Sequence, residues 1–236
     1  MTQANPRVFA GVPTLVAVPE TADFPTPLVI WYHGLHADAL AHAVMLERCA
    51  ASGFLAIGVD AVGHGARRDP NLARWLSQSP DGGLSVMLAL VEQTVRELPA
   101  MLDAIAEQFP IDRSRVSVVG ISMGAFLAYR AVADGPPIRA IVALLGSPEW
   151  PTENSPHLAL ARFRSVAVLS ITAEHDASVQ PAAAHRLHEA LLQQAPAGSS
   201  AKPEHHHLIR GAGHGLSGDE WARAMRVTMQ WLQRWG

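Results

Sequence analysis

Val116-Ser117-Val118-Val119-Gly120-Ile121-Ser122-Met123-Gly124-Ala125-Phe126-Leu127-Ala128-Tyr129-Arg130-Ala131-Val132 decides the reading of this chain. The run from Val116 to Val119 predicts a buried strand, and Ala125 to Val132 predicts a helix packed on it. Between them lies a tight turn with a serine flanked by glycines. A strained elbow of this kind projects the serine oxygen out of the turn, and glycine on either side lets neighbouring backbone approach without a clashing Cβ. Ser122 is therefore the candidate nucleophile. The plainer alternative is a serine that caps the helix, and it accounts for neither the preceding strand nor the partners downstream.

An elbow nucleophile is followed along the chain by an acid and then a histidine. Val166 to Thr172 has strand composition and runs into Ala173-Glu174-His175-Asp176, which makes Asp176 the candidate acid. Glu174 competes for that role, as does Glu149, which follows the strand-like Ile141 to Leu145. A turn-forming aspartate is the bland alternative for Asp176. His214, in Gly211-Ala212-Gly213-His214-Gly215, is the candidate base, singled out from twelve histidines by its loop, its order and its glycine neighbours. In that arrangement His214 takes the Ser122 proton as the oxygen attacks a carbonyl, and Asp176 fixes the imidazole tautomer. The tetrahedral oxygen then needs backbone donors. The Met123 amide is one candidate, and the Leu35 amide, in the turn after Leu28-Val29-Ile30-Trp31-Tyr32, is the other. His33 reads chiefly as a residue that orients this turn through a side-chain bond, with substrate contact as a further role.

These residues resemble the α/β-hydrolase superfamily, and within it the small bacterial carboxylesterases of the dienelactone-hydrolase and prolyl-oligopeptidase-like branch. The resemblance is carried by Tyr32-His33-Gly34, by Asp60-Ala61-Val62-Gly63-His64-Gly65-Ala66-Arg67, by the elbow, by Asp176 with Val179, and by Gly213-His214. It implies an α/β fold with a mostly parallel central sheet, helices on both faces and only short cap insertions. It also implies cleavage of small carboxylic esters through an acyl-enzyme intermediate, with no cofactor and no metal. Two departures bear on substrate. Dienelactone hydrolases use cysteine where this chain has Ser122, which points to ordinary esters. The peptidases carry a propeller and often a further glycine after the elbow, whereas Ala125 fills that position here and no propeller is expected. Thioesterase, deacetylase and perhydrolase chemistry are alternatives on the same three side chains.

Composition bounds the rest. The 236 residues, 49% of them hydrophobic, suffice for one domain spanning 1–236. A formal charge of −3 gives no electrostatic footprint for nucleic acid or an anionic membrane. Met1 to Pro6 lacks a basic-then-apolar leader, and no stretch approaches the ~18 apolar residues of a membrane span, so a cytoplasmic enzyme acting on small molecules is expected. Cys49 is the single cysteine and falls on the apolar face of a helix with Met45, Leu46 and Ala50, which suggests burial rather than catalysis. Oligomeric state is not legible.

Further along, a strand pair is expected between Arg7 and Val18, a helix from Ala39 to Ser52 and a strand from Phe54 to Val59. A long helix from Leu84 to Phe109 should be kinked or divided by Pro99. The last helix should open with the capping box of Ser217 and Glu220 and bury Trp221, Met225, Thr228, Leu232 and Trp235. Pro196 to Pro203 reads as a surface loop. The excursions Arg67 to Gly83 and Gly146 to Arg164 are expected to shape the pocket, with Trp75, Leu76, Trp150 and Phe163 reading equally as walls or as packing of the loop on itself, and with Arg67 or Arg68 reading chiefly as solvated and secondarily as a partner for a substrate carboxylate. A metallohydrolase built on His33, His36, Asp38 and His42, or on His205-His206-His207, is the remote alternative, because neighbouring strand residues point to opposite faces. A binding protein that kept the fold without the chemistry is another.

Overall fold

The computed structural model describes residues 3–21, 25–194 and 204–236; the expected loop from Pro196 to Pro203 lies outside them. Eight strands form one sheet: β1 (Asn5–Phe9), β2 (Val12–Ala17), β3 (Thr26–Tyr32), β4 (Leu55–Val59), β5 (Ile111–Ile121), β6 (Ala140–Leu144), β7 (Ala167–Ala173) and β8 (Glu204–Ile209). Their spatial order is β1-β2-β4-β3-β5-β6-β7-β8. The β1-β2 and β2-β4 pairs are antiparallel, and every later pair is parallel.

The central strands are buried on both faces, so they read as continuous apolar runs rather than as alternations. In β3, Leu28, Ile30 and Tyr32 point into one core, and Val29 and Trp31 into the other. The first core is covered by α3 (Leu84–Gln108), α4 (Met123–Asp134) and α6 (Ala182–Gln194); the second by α1 (Ala43–Ala51) and α7 (Gly218–Trp235). The chain reverses its direction of growth across the sheet at β3, which lies between β4 and β5. The carboxyl ends of β3 and β5 therefore sit at a topological switch point, where an open α/β sheet leaves a crevice.

Several elements depart from the sequence reading. The helix expected from Ala39 begins as a 3-10 turn, Ala39–His42, capped by Asp38, and becomes α1 only at Ala43. α3 runs uninterrupted through Pro99, held by the buried face that includes Val95, Leu98, Met101 and Leu102. β5 begins at Ile111, five residues before the apolar run, with an exposed Arg113-Ser114-Arg115 segment. The capping box at Ser217 is present, and Met225, Thr228 and Leu232 are buried, while Trp221 and Trp235 are half-buried. Within the two excursions lie α2 (Leu72–Gln78) and the short α5 (Leu160–Phe163). Cys49 is fully buried against Met229, and burial pushes its thiol up to about 12, so it has no thiolate to react with. No described helix is long and apolar enough to cross a membrane.

Candidate active site

β5 delivers Ser122 to the crevice, and α4 leaves from it. Ser122 adopts φ 53° and ψ −116°, a conformation that non-glycine residues avoid. The strain is held by packing on both sides. A Cβ on Gly120 would stand 1.8 Å from the Gly124 carbonyl oxygen, and one on Gly124 would stand 2.1 Å from that of Tyr32. The flanking glycines thus let α4 close onto the ends of β3 and β5. The Ser122 amide donates to the Leu144 carbonyl at 2.8 Å, which ties the elbow to the end of β6.

Asp176 and His214 come from the sheet's other margin. Asp176 follows β7, and its side chain is wholly buried. One carboxylate oxygen accepts from the Ser178 and Val179 amides at 2.9 and 2.8 Å, and the other faces His214 Nδ1 at 2.7 Å. His214 follows β8, and its Nε2 lies 2.9 Å from Ser122 Oγ. Because a carboxylate only accepts, Nδ1 carries the hydrogen and Nε2 is left as the acceptor for the serine hydroxyl. Residues 122, 176 and 214 thus form one continuous chain of hydrogen bonds. The competing carboxylates are engaged elsewhere: Glu174 accepts from the Gly211 amide at 2.8 Å, and Glu149 grips Arg186 at 2.8 and 2.5 Å, which holds its carboxyl below the usual range.

The turn after β3 lies against Ser122: a Cβ on Gly34 would stand 3.6 Å from Ser122 Cβ. His33 is fully buried and spans two loops, its Nε2 accepting from the Ala61 amide at 3.1 Å and its Nδ1 donating to the Gly34 carbonyl at 2.8 Å. Burial lowers its pKa, which keeps the ring in the neutral state that this pairing requires. Leu35, whose amide is the candidate oxyanion donor, comes next in the chain. Met123 opens α4, so its amide is one of the free donors of a helix N-terminus. The Asp60 turn braces the same region. Asp60 accepts from the Ala39 amide at 2.9 Å and the Ala66 amide at 2.8 Å.

Other expected site residues lie elsewhere. Trp150 is 6% exposed, stacks on Phe126 and donates its indole N–H to the Ser147 carbonyl, so it is packed inside its loop rather than forming an open wall. Phe163 is likewise buried. Trp75 stands exposed on α2; the cavity beside that helix is lined by Leu72 and Ala73 instead. That cavity, about 250 Å³, also meets His36, Asp38, His64 and Arg68. Arg67 makes a two-pronged ion pair with Glu97 at 3.0 and 2.6 Å. Of the four residues His33, His36, Asp38 and His42, His36 and Asp38 line that cavity, Asp38 also capping the 3-10 turn, while His33 bridges its loops and His42 is buried between Trp31 and Trp221; among the described residues no three His, Cys, Asp or Glu side chains are grouped to hold a metal ion.

A mostly parallel sheet, flanked by helices and carrying a strained serine at its switch point, defines an α/β-hydrolase. The chain belongs to the Hydrolase_4 family, described as serine aminopeptidase S33, whose profile matches residues 24–164. That span contains the elbow and stops before Asp176 and His214. Esterase YjfP of Escherichia coli is 32% identical over 148 residues, a match covering 62% of this chain and 56% of the relative, so the match spans little more than half of the relative's length. Among solved structures, TT1662 from Thermus thermophilus superposes with a TM-score of 0.77 at 21% identity, covering 98% of each chain. A dienelactone hydrolase-like promiscuous phosphotriesterase from metagenomic libraries gives 0.74 at 19% identity, covering 100% of this chain and 99% of its own.

Proposed function

We propose that this chain is a single-domain serine hydrolase that cleaves small carboxylic esters, with Ser122 as nucleophile, His214 as base and Asp176 as acid. The observation that carries the reading is the unbroken relay from Ser122 Oγ to His214 Nε2 and from His214 Nδ1 to Asp176, at 2.9 and 2.7 Å. His214 takes the serine proton as the oxygen attacks the ester carbonyl. The Leu35 and Met123 amides stabilise the resulting oxyanion, each worth on the order of a hundredfold to a thousandfold in rate. His214 then protonates the departing alcohol, leaving an acyl-serine. Water enters, loses a proton to His214 and releases the acid by the same steps in reverse.

The esterase relative supports ester chemistry over the thioester, deacetylase and perhydrolase alternatives. A cytoplasmic location and a small-molecule substrate go with this reading. Ser122→Ala should reduce turnover of p-nitrophenyl acetate by about six orders of magnitude while leaving the thermal melt near wild type. Unchanged turnover would overturn the assignment. Activity that survives EDTA and is abolished by an organophosphonate separates it from the metallohydrolase alternative.

A further inference from the structure

The margin of the sheet that delivers the acid and the base is unusually rich in histidine. His206 on β8 lies opposite Ser170 of β7 and presents its Nε2 to Thr172 Oγ1 at 2.7 Å. His188 of α6, 5% exposed, presents its Nε2 to Ser170 Oγ at 2.8 Å, and Ser170 shares a 2.7 Å hydrogen bond with the buried Tyr129 hydroxyl of α4. The two imidazoles stack at 5.8 Å with 16° between their planes, and His185 lies 5.7 Å from His206. Two hydroxyls of β7 therefore hold one residue of the covering helix and one of the edge strand. Among the described residues β8 pairs with β7 alone, and beyond Ile209 it runs directly into the loop that carries His214.

We infer that His188 and His206 are positioning residues, neutral imidazoles that bolt α6 and β8 onto β7 and so fix the spacing between Asp176 and His214, and that this bolt releases in acid. The inference rests on the proposed roles of those two residues. The surroundings explain the acid sensitivity. Neither imidazole hydrogen-bonds a carboxylate among the described residues. On α6, Glu189 sits against His185 at 3.3 Å, and Arg186 is spent on Glu149. On the other face of β8, His205 and His207 lie 6.2 Å apart, and Arg223 of α7 bears on His207. β7 and α4 contribute only the neutral Ser170, Thr172 and Tyr129 hydroxyls. Burial, reinforced by the neighbouring histidines, pushes His188 down to about 3 and lowers His206 as well. The sign follows. Above pH ~6.5 both the closed and the opened edge are neutral, with no pH-dependent cost. As pH falls below that, the opened edge binds protons that the closed one refuses, so closure weakens progressively toward the folded pKa.

Hydrogen exchange of residues 205–214 tests this in the folded chain without substrate, expressed as protection relative to intrinsic rates. Between pH 8 and pH 5, His188 alone predicts a loss of protection of ~30-fold, because its opened-state pKa lies about 1.5 units above pH 5. His188→Gln and His206→Gln keep an N–H for the hydroxyl but cannot become cationic, and should abolish most of that loss. In turnover, His206→Leu should lower kcat roughly tenfold with KM little changed, as expected for misplaced catalytic groups, and His206→Gln should recover most of it. Protection that is independent of pH, or equally acid-sensitive in the glutamine variants, would overturn the bolt. The exchange readout needs no catalysis, so failure of the esterase reading and failure of the bolt are separate results.

Discussion

Ser122, the proposed nucleophile, and its two proposed partners are seated by different physics. Around Ser122 the fit is steric: residues 116–121 and 123–132 are buried, the glycines allow main chain to meet main chain, and the strained backbone has nowhere to relax. Around Asp176 and His214 the fit is made by hydrogen bonds at an edge. Glu174 accepts from Gly211, the Glu174 amide donates to the Ile209 carbonyl, and the His175 amide donates to that of Ala212 at 2.7 Å. The first seat responds to added volume, the second to lost hydrogen bonds and to protons.

The largest effect that can break this contrast comes from Asp176→Asn. The asparagine retains the shape but offers an N–H where His214 needs an acceptor, so the imidazole adopts the wrong tautomer and kcat should fall by about four orders of magnitude. Glu174→Gln and Glu149→Gln should cost a small fraction of that in the same p-nitrophenyl acetate assay. If the large loss appeared in either of those variants and not in Asp176→Asn, the acid role would move to that carboxylate.

The same substitution placed in both seats sharpens the comparison. In Gly124→Ala the new methyl would fall 2.1 Å from the Tyr32 carbonyl oxygen, so the elbow and β3 must separate. A loss of more than ~4 kcal/mol is expected by denaturant titration, in the range reserved for overpacked cores and strained backbone. In Gly213→Ala, beside the proposed base His214, the nearest atom is the His175 carbonyl oxygen at 3.7 Å, and the change should stay within ~0.5 kcal/mol. Equal losses at the two positions would show that the seats are not built differently.

This division also decides what was legible beforehand. The elbow announces itself because steric fit is written in local residue type: two glycines, a β-branched strand before them and an apolar helix after. Asp176 and His214 followed from chain order rather than from any local signal of comparable strength. The bridge that His33 makes to the Ala61 amide was hidden, since its partner is a backbone group from a different loop. So was α6. Its buried positions Ala184, Leu187, His188 and Leu191 do keep helical spacing, but small residues and a histidine stand where an apolar stripe would be sought. His188 is the least legible of these, because the Ser170 hydroxyl that partners its Nε2 is supplied from another strand. Trp150 shows a case where two readings of one residue stayed open in the sequence. On its excursion it could serve as a pocket wall or as packing for its own loop, and the excursion folds back to bury it against Phe126.

The smallest expected effect tests where the hydrogen-bonded seat ends. Ser217 caps α7 three residues beyond His214. Its side chain accepts from the Glu220 amide at 3.4 Å, and its amide donates to the Glu220 carboxylate at 2.7 Å. The Glu220 carboxyl is held below its usual range chiefly by that second bond. Ser217→Ala removes one of the two and should cost about 1 kcal/mol, lowering Tm by roughly 2–4 °C for a chain of this size. Turnover should remain near wild type, because His214 is held from the other side, by Asp176 and by the contacts of Glu174 and His175 with residues 209–212. A fall in kcat out of proportion to the change in Tm would extend the base's seat into α7. It would also show that the edge transmits small losses to the reacting atoms, which the steric seat of Ser122 is built to resist.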